Sequence, residues 1–170
     1  MRPALYWINS EGLSWTGRLA IMARPRSGDW LEDEIAGWRD AGVGEVVSLL
    51  EPAEVRELGL EEEAALCRAS GQAFTAFPIP DRGVPDSIRQ TAALTRRLIQ
   101  ALATGQSVAV HCRAGIGRSS LMVAGVMACG GLDVGQAFAR IAQARGVPVP
   151  DTEGQRDWVQ DFARALPLLP

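Results

Sequence analysis

The segment from Ser107 to Cys129 constrains the fold more than any other part of the chain. It reads as a short apolar strand, SVAVH, a tight loop with two glycines over Cys112–Arg118, and a helix running to about Cys129. A strand that passes through a short loop into a helix is the repeating unit of layered α/β domains. The rest of the chain alternates in the same way. Candidate strands are Ala4–Ile8, Arg18–Met22, Glu45–Leu50 and Ala73–Ile79. Between and after them come amphipathic stretches over Asp29–Ala41, Pro52–Leu58, Glu61–Ser70, Ser87 to about Thr104, Val134–Arg145 and Thr152–Leu166. Leu31, Ile35 and Trp38 recur at helical spacing, Pro52 suits a first helical turn, and Ser87-Ile88-Arg89-Gln90 matches a capping box with Asp86 as a rival cap. The expected architecture is three layers, a central and mainly parallel sheet flanked by helices, in one domain spanning residues 1–170. No repeat, low-complexity tract or linker interrupts it.

Composition narrows what such a domain does. The 170 residues are 47% hydrophobic and 22% charged, ample for a core without disulfide or metal staples. All 17 basic residues are arginine, yet the net charge is −3, so the overall field does not favour nucleic acid or anionic lipid. An anion must therefore be captured by a local site. Three cysteines, Cys67, Cys112 and Cys129, and one histidine form no CxxC or metal cluster. No stretch approaches the roughly 18 apolar residues of a membrane span, and the first residues lack the apolar run of a secretory signal. A reducing cytoplasm is the expected compartment.

The loop His111–Ser119, HCRAGIGRS, carries the chemistry. Backbone N–H groups of a short loop wrapped before a helix N-terminus form an anion cradle, reinforced by the helix dipole. Gly115 and Gly117 permit the close approach such a loop needs. Arg118 adds a fork that matches two phosphate oxygens. Cys112, at the strand end, is expected at the floor of this positive bowl, where a helix N-terminus and cationic neighbours favour the thiolate. A thiolate aimed at bound phosphorus is a nucleophile. Ser119 is placed to donate a hydrogen bond to the sulfur and help it leave in a second step. His111 points off the opposite strand face and is expected to fix loop carbonyls rather than act as a base. A departing ester oxygen also needs a proton. The loop PIPDRGVPD offers Asp81, between Pro80 and the flexible Arg82-Gly83 pair, and Asp86, which helix capping explains. Asp81 is the preferred acid.

These residues resemble the HCxxGxxR[ST] signature of the cysteine-dependent protein tyrosine phosphatase superfamily. The compact length and the PIPD acid loop are most similar to its small dual-specificity-like and atypical members. The resemblance implies a covalent phosphocysteine at Cys112 and phosphate binding by Arg113, Ala114, Gly115, Ile116, Gly117 and Arg118. It implies Asp81 first as proton donor and then as base for the attacking water, with no metal or cofactor. The expected partner is a phosphorylated protein or peptide, with phosphotyrosine foremost and phosphoserine or phosphothreonine also accepted. Gln155, in Thr152-Glu153-Gly154-Gln155, resembles the glutamine with which many members position the hydrolytic water. The long tyrosine-recognition loop of the large tyrosine-specific members is not visible. Within the loop only Arg113 is basic and position 116 is isoleucine, which counts against phosphoinositides.

Competing readings are a coincidental CX5R turn, a rhodanese or arsenate reductase, an RNA 5′-triphosphatase, and a phosphoprotein-binding module without turnover. Sulfur or arsenic chemistry does not call for Asp81, and binding alone needs neither Cys112 nor Asp81. An RNA 5′-triphosphatase, which shares the signature, would favour a basic groove that the acidic balance speaks against. Cys67 and Cys129 are expected as buried inert thiols, the alternative being that one resolves an oxidised Cys112. Tyr6, Trp7 and Trp15 are candidate rim residues, although core roles are favoured for the tryptophans. Glu61-Glu62-Glu63 is expected as a solvated helical turn, and Glu51 either as a helix cap or as a brace for an arginine of the loop.

Overall fold

The computed structural model describes residues 4–170. Its strands are β1 (Tyr6–Trp7), β2 (Leu19–Met22), β3 (Val43–Ser48), β4 (Ala73–Ala76) and β5 (Ser107–His111). Its helices are α1 (Leu31–Asp40), α2 (Pro52–Glu57), α3 (Glu63–Ala69), α4 (Ile88–Ala103), α5 (Gly117–Cys129), α6 (Val134–Arg145) and α7 (Glu153–Ala165). The sheet order is β1-β2-β5-β3-β4, parallel except for β1, which runs antiparallel to β2. The three-layer, mainly parallel architecture read from the sequence is the one observed.

Register decides where a site can form. Met22 pairs with His111, His111 with Ser48, and Ser48 with Ala76, so four strands end in one row. Ligands of parallel α/β sheets bind beyond such carboxyl ends, where loops and helix N-termini converge. The loop before α5, the start of α2 and the loop after β4 all emerge there.

Side chains alternate across the central strand. Val108 and Val110 pack into a cluster with Leu98 and Leu102 of α4, Leu121–Ala124 of α5, Phe138 of α6 and Val159 of α7. Ala109 faces the other cluster, with Leu31, Ile35 and Trp38 of α1 and Cys67 of α3. Eleven consecutive α5 residues, Gly117–Met127, are buried, as expected of a helix enclosed on all sides. This encasement fixes the direction in which its N-terminus points.

Element boundaries depart from expectation where local chemistry intervenes. Strand β4 ends at Ala76, because Pro78 lacks an N–H and breaks the ladder. Its pairing continues irregularly, as Phe77 and Ile79 donate to the carbonyls of Ser48 and Leu49. Ser87, not Asp86, caps α4 by accepting from the Gln90 N–H. Helix α3 begins at Glu63, so Glu61 and Glu62 lie in the preceding turn. Buried Glu45 of β3 is neutralised at its edge by Arg97, 2.7 Å away, and accepts from the Thr75 hydroxyl. Among the described residues, no helix is long and apolar enough to cross a membrane.

Candidate active site

A cavity of about 210 Å³ opens beyond the strand ends. Cys112, Arg113, Ala114, Gly117 and Arg118 line it from the loop, Asp81 and Arg82 from the segment after β4, and Asp151 from the approach to α7. The Cys112 thiol lies at its base, 3% exposed. Gly115 and Ile116 complete the loop without lining the cavity, and Ile116 occupies the N-cap position of α5.

Contacts from outside hold the loop in shape. Gly115 has φ +71°, and a Cβ there would lie 2.4 Å from the Met22 carbonyl oxygen, so only glycine lets the loop press against the end of β2. The Arg24 N–H donates to the Arg113 carbonyl at 3.1 Å. Arg145 of α6 donates from Nε to the Gly115 carbonyl at 3.0 Å and from Nη2 to the Ala114 carbonyl at 2.9 Å. The same guanidinium lies 4.3 Å from the Tyr6 ring centroid. Because a peptide's C=O and N–H point in opposite directions, anchoring these carbonyls outward turns the following amides inward. The uncapped N–H groups of α5 add to the same field.

Arg118 is almost wholly buried and carries a carboxylate partner that the sequence reading missed. Its Nη1 and Nη2 donate to the two Glu54 oxygens at 2.7 and 2.9 Å, and Nη1 also donates to the Ile79 carbonyl at 3.0 Å. Glu51, the expected candidate brace, is instead the N-cap of α2 and donates its N–H to Glu54. The brace stands three residues further along, at the capping-box position. Burial pushes the Glu54 carboxyl up, but hydrogen bonds from Arg118 and the Glu51 N–H and the charges of Arg118 and Arg113 outweigh it, so the net shift is downward. For Arg118, burial works against the charge and the Glu54 pair outweighs it, followed by the Cys112 sulfur and the carboxylate partners. Asp81 Oδ1 stands 3.1 Å from Arg118 Nη2, with its side chain largely exposed. Arg113 spans Glu54 and Glu57 at 3.6 and 3.2 Å.

His111 fixes a loop carbonyl, as expected, through a contact of 3.0 Å between Nδ1 and the Cys112 oxygen. Its Nε2 lies 2.6 Å from Glu63 Oε1, and both side chains are essentially inaccessible to water. Glu63 is therefore not part of a solvated turn: α3 folds it under the sheet. Both imidazole nitrogens face oxygens, an arrangement that the doubly protonated ring satisfies by donating to both. Burial would push this imidazole down, but the Glu63 charge and hydrogen bond and the Cys112 carbonyl raise it overall.

Other expected residues fall as follows. Ser119 is buried beside the loop and its hydroxyl has no hydrogen-bond partner, the sulfur included. Gln155 is buried and does not line the cavity. Its Oε1 accepts from the Asp151 and Thr152 N–H groups, and its Nε2 donates to the Gly83 carbonyl at 3.1 Å. Tyr6, Trp7 and Trp15 do not form the cavity rim: Tyr6 lies under Arg145, Trp7 under Arg18 at 3.9 Å, and Trp15 is buried. All three cysteines are free thiols. Cys67 belongs to the opposite core layer from Cys112, and burial followed by the Glu63 charge pushes its thiol up to about 12. Cys129 ends α5, about 18 Å along the helix from Gly117 at 1.5 Å per residue. Neither is placed to resolve an oxidised Cys112.

A family model described as "Tc-R-P: Polymorphic toxin system, DSP-PTPase phosphatase" matches residues 20–131, more than half of the chain. The chain belongs to this family of dual-specificity-like cysteine phosphatases. No curated protein matches the sequence. Among solved structures, it is similar to kinase associated phosphatase carrying a serine in place of its catalytic cysteine. That match has a TM-score of 0.90 at 18% identity and covers 98% of this chain and 97% of the other. It is similar to Tk-PTP in its active form, with a TM-score of 0.76 at 24% identity, covering 96% and 99%. It is also similar to human DUSP28, with a TM-score of 0.70 at 21% identity, covering 98% of each chain. At these identities the likeness is one of fold.

Proposed function

We propose that this chain, as a single domain of residues 1–170, hydrolyses phosphate monoesters on proteins or peptides through a phosphocysteine. Phosphotyrosine is the foremost substrate, with phosphoserine and phosphothreonine also accepted. The observation that carries this reading is the meeting of Cys112, Arg118 and Asp81 around one cavity, with Asp81 already on the guanidinium. Cys112 Sγ attacks phosphorus as the thiolate. Arg118 and the inward amides of residues 113–118 hold the phosphoryl oxygens, and Asp81 protonates the departing oxygen. Incoming phosphate competes with Asp81 for Arg118, which moves the acid toward the leaving group. Water then cleaves the phosphorus–sulfur bond. The unpartnered Ser119 hydroxyl is the donor that greets the returning sulfur anion. Gln155 serves by holding the Asp151 backbone and the acid loop. No cofactor, metal or nucleic acid takes part, and three free thiols fit a reducing cytoplasm.

The test is turnover of an aryl phosphate in the presence of chelator. Wild type is expected to turn over, Cys112→Ser to be inactive while still binding, and Asp81→Ala to lose rate mainly on substrates with poor leaving groups. Full activity in Cys112→Ser would exclude the covalent route. Ranking phosphopeptides, phosphoinositides and nucleotides by kcat/KM then assigns the substrate class.

A further inference from the structure

We propose that a second cavity, separate from the one at Cys112, is a binding site for an apolar or aromatic amine, with the Glu63 carboxylate as its anchor. This cavity measures about 370 Å³ against about 210 Å³ for the one at Cys112, and the two share no lining residue. It lies between α2, α3 and the edge strand β4. Leu50, Val55, Leu60 and Phe74 give it largely apolar walls. Only two of its lining side chains are both polar and buried, Ser48 and Glu63. Arg56 and Glu61 also line it, both exposed and of opposite charge. An apolar enclosure of this size with few fixed polar groups is the usual make-up of a small-molecule site.

Glu63 decides the chemistry of the occupant. It is 2% exposed, and its Oε1 is taken by His111 Nε2 at 2.6 Å. Its Oε2 has no hydrogen-bond or ion-pair partner among the described residues, although Glu63 lines the cavity. An ionised carboxylate accepts at both oxygens, and leaving one unmet away from water is costly. The group that answers it must donate, and a protonated amine does so with a charge-assisted bond. Ser48 Oγ, which accepts from the Leu50 N–H at a long 3.5 Å, can accept a second ammonium proton. The walls set the rest of the molecule as alkyl or aryl carbon, whose removal from water supplies further affinity. A carboxylate or phosphate would meet Glu63 with like charge, so anions suited to the Cys112 cavity do not suit this one. The same carboxylate holds His111 against the Cys112 carbonyl, and α2 carries the Glu54 that holds Arg118. An amine bound here therefore touches the elements that support the anion loop without entering the Cys112 cavity.

The experiment follows the backbone amide NMR signals of the full-length, isotope-labelled protein at neutral pH. It is titrated with phenylbutylamine and, separately, with phenylbutyrate, a body of the same size ending in an acceptor. The amine is expected to bind saturably with a Kd on the order of 1 mM, usual for so small a molecule. Its largest shifts should fall at Val55, Leu60, Ala64 and Phe74, and phenylbutyrate should bind there at least about tenfold more weakly. Glu63→Gln keeps an acceptor for His111 but replaces a carboxylate oxygen with an amide nitrogen, and should weaken the amine about tenfold or more. Ala76→Phe, on the exposed edge strand, leaves the Glu63–His111 pair in place and fills the cavity instead. It should abolish the shifts while its thermal midpoint stays within a few degrees of wild type. Equal affinity for amine and phenylbutyrate, or undiminished amine binding to Ala76→Phe, would overturn the proposal. So would the absence of saturable shifts up to about 20 mM amine, well beyond the affinity expected for its size. Largest shifts at residues 112–118, with inhibition competitive against p-nitrophenyl phosphate, would place the amine in the Cys112 cavity and overturn it too.

Discussion

Replacing Glu63 by alanine isolates the support beneath the loop. His111 is fully buried, Glu63 is 2% exposed, and their 2.6 Å contact gives the imidazolium its only countercharge among the described residues. Removing one member of such a pair leaves a charge stranded out of water and costs about 3–5 kcal/mol. For a chain of this size each kcal/mol moves the melting temperature by about 2–4 °C, which gives a fall of roughly 6–20 °C. The pH dependence has a definite sign. The folded His111 is raised above its unfolded value near 6.5, so the pair's contribution is fully present below that value. It is lost as pH rises through the higher folded value. The stability gap between wild type and Glu63→Ala should therefore be widest near pH 6 and narrow in alkali. Urea unfolding followed by tryptophan fluorescence across pH 6 to 9.5 measures it. A gap below about 1 kcal/mol, the range of exposed pairs, or one that widens with pH would refute the reasoning.

Two further outcomes follow from the loop geometry. Gly115→Ala sets a Cβ 2.4 Å from the Met22 oxygen at a φ of +71°; it should lower stability by about 1–3 kcal/mol and abolish turnover, read by thermal melts and aryl-phosphate assay. Glu54→Ala should also be destabilised and raise KM for phosphate esters. Because folded Glu54 lies below its unfolded value, its contribution is present above about pH 4.5 and lost as acid titrates the folded carboxyl, so the variant and wild type should converge in acid melts.

The elements around the site were legible because each rests on local pattern. SVAVH must be an interior strand, the two glycines must turn the chain, and Asp81 follows a strand in a proline-bounded loop. The parallel register then brings the loop and Asp81 together without further information. The supporting carboxylates were not legible. Glu63 is the third of three consecutive glutamates, and only the packing of α3 beneath β5 distinguishes it from its solvated neighbours. Glu54 reads as an ordinary capping-box residue until Arg118 is found buried beside it. That a buried arginine requires a carboxylate was the available signal, and Glu54, just after a buried strand, was the place to seek it. Asp151 is separated from the loop by two helices, and nothing in its local sequence marks it.

The acid loop is pinned at both ends. Ile79 is bonded by its N–H to Leu49 and by its carbonyl to Arg118, while the Gly83 carbonyl is bonded to Gln155. Only Pro80, Asp81 and Arg82 lie between these anchors, so the leash from Ile79 to Gly83 is four residue steps, about 14 Å when fully drawn out. They are already folded back by the bond from Gly83 N–H to the Pro80 carbonyl. Opening is thus the flip of a single turn, not the sweep of a long flap. The acid can meet only a leaving oxygen brought to it, so the depth to which a phosphorylated side chain must enter is set by the span of three residues.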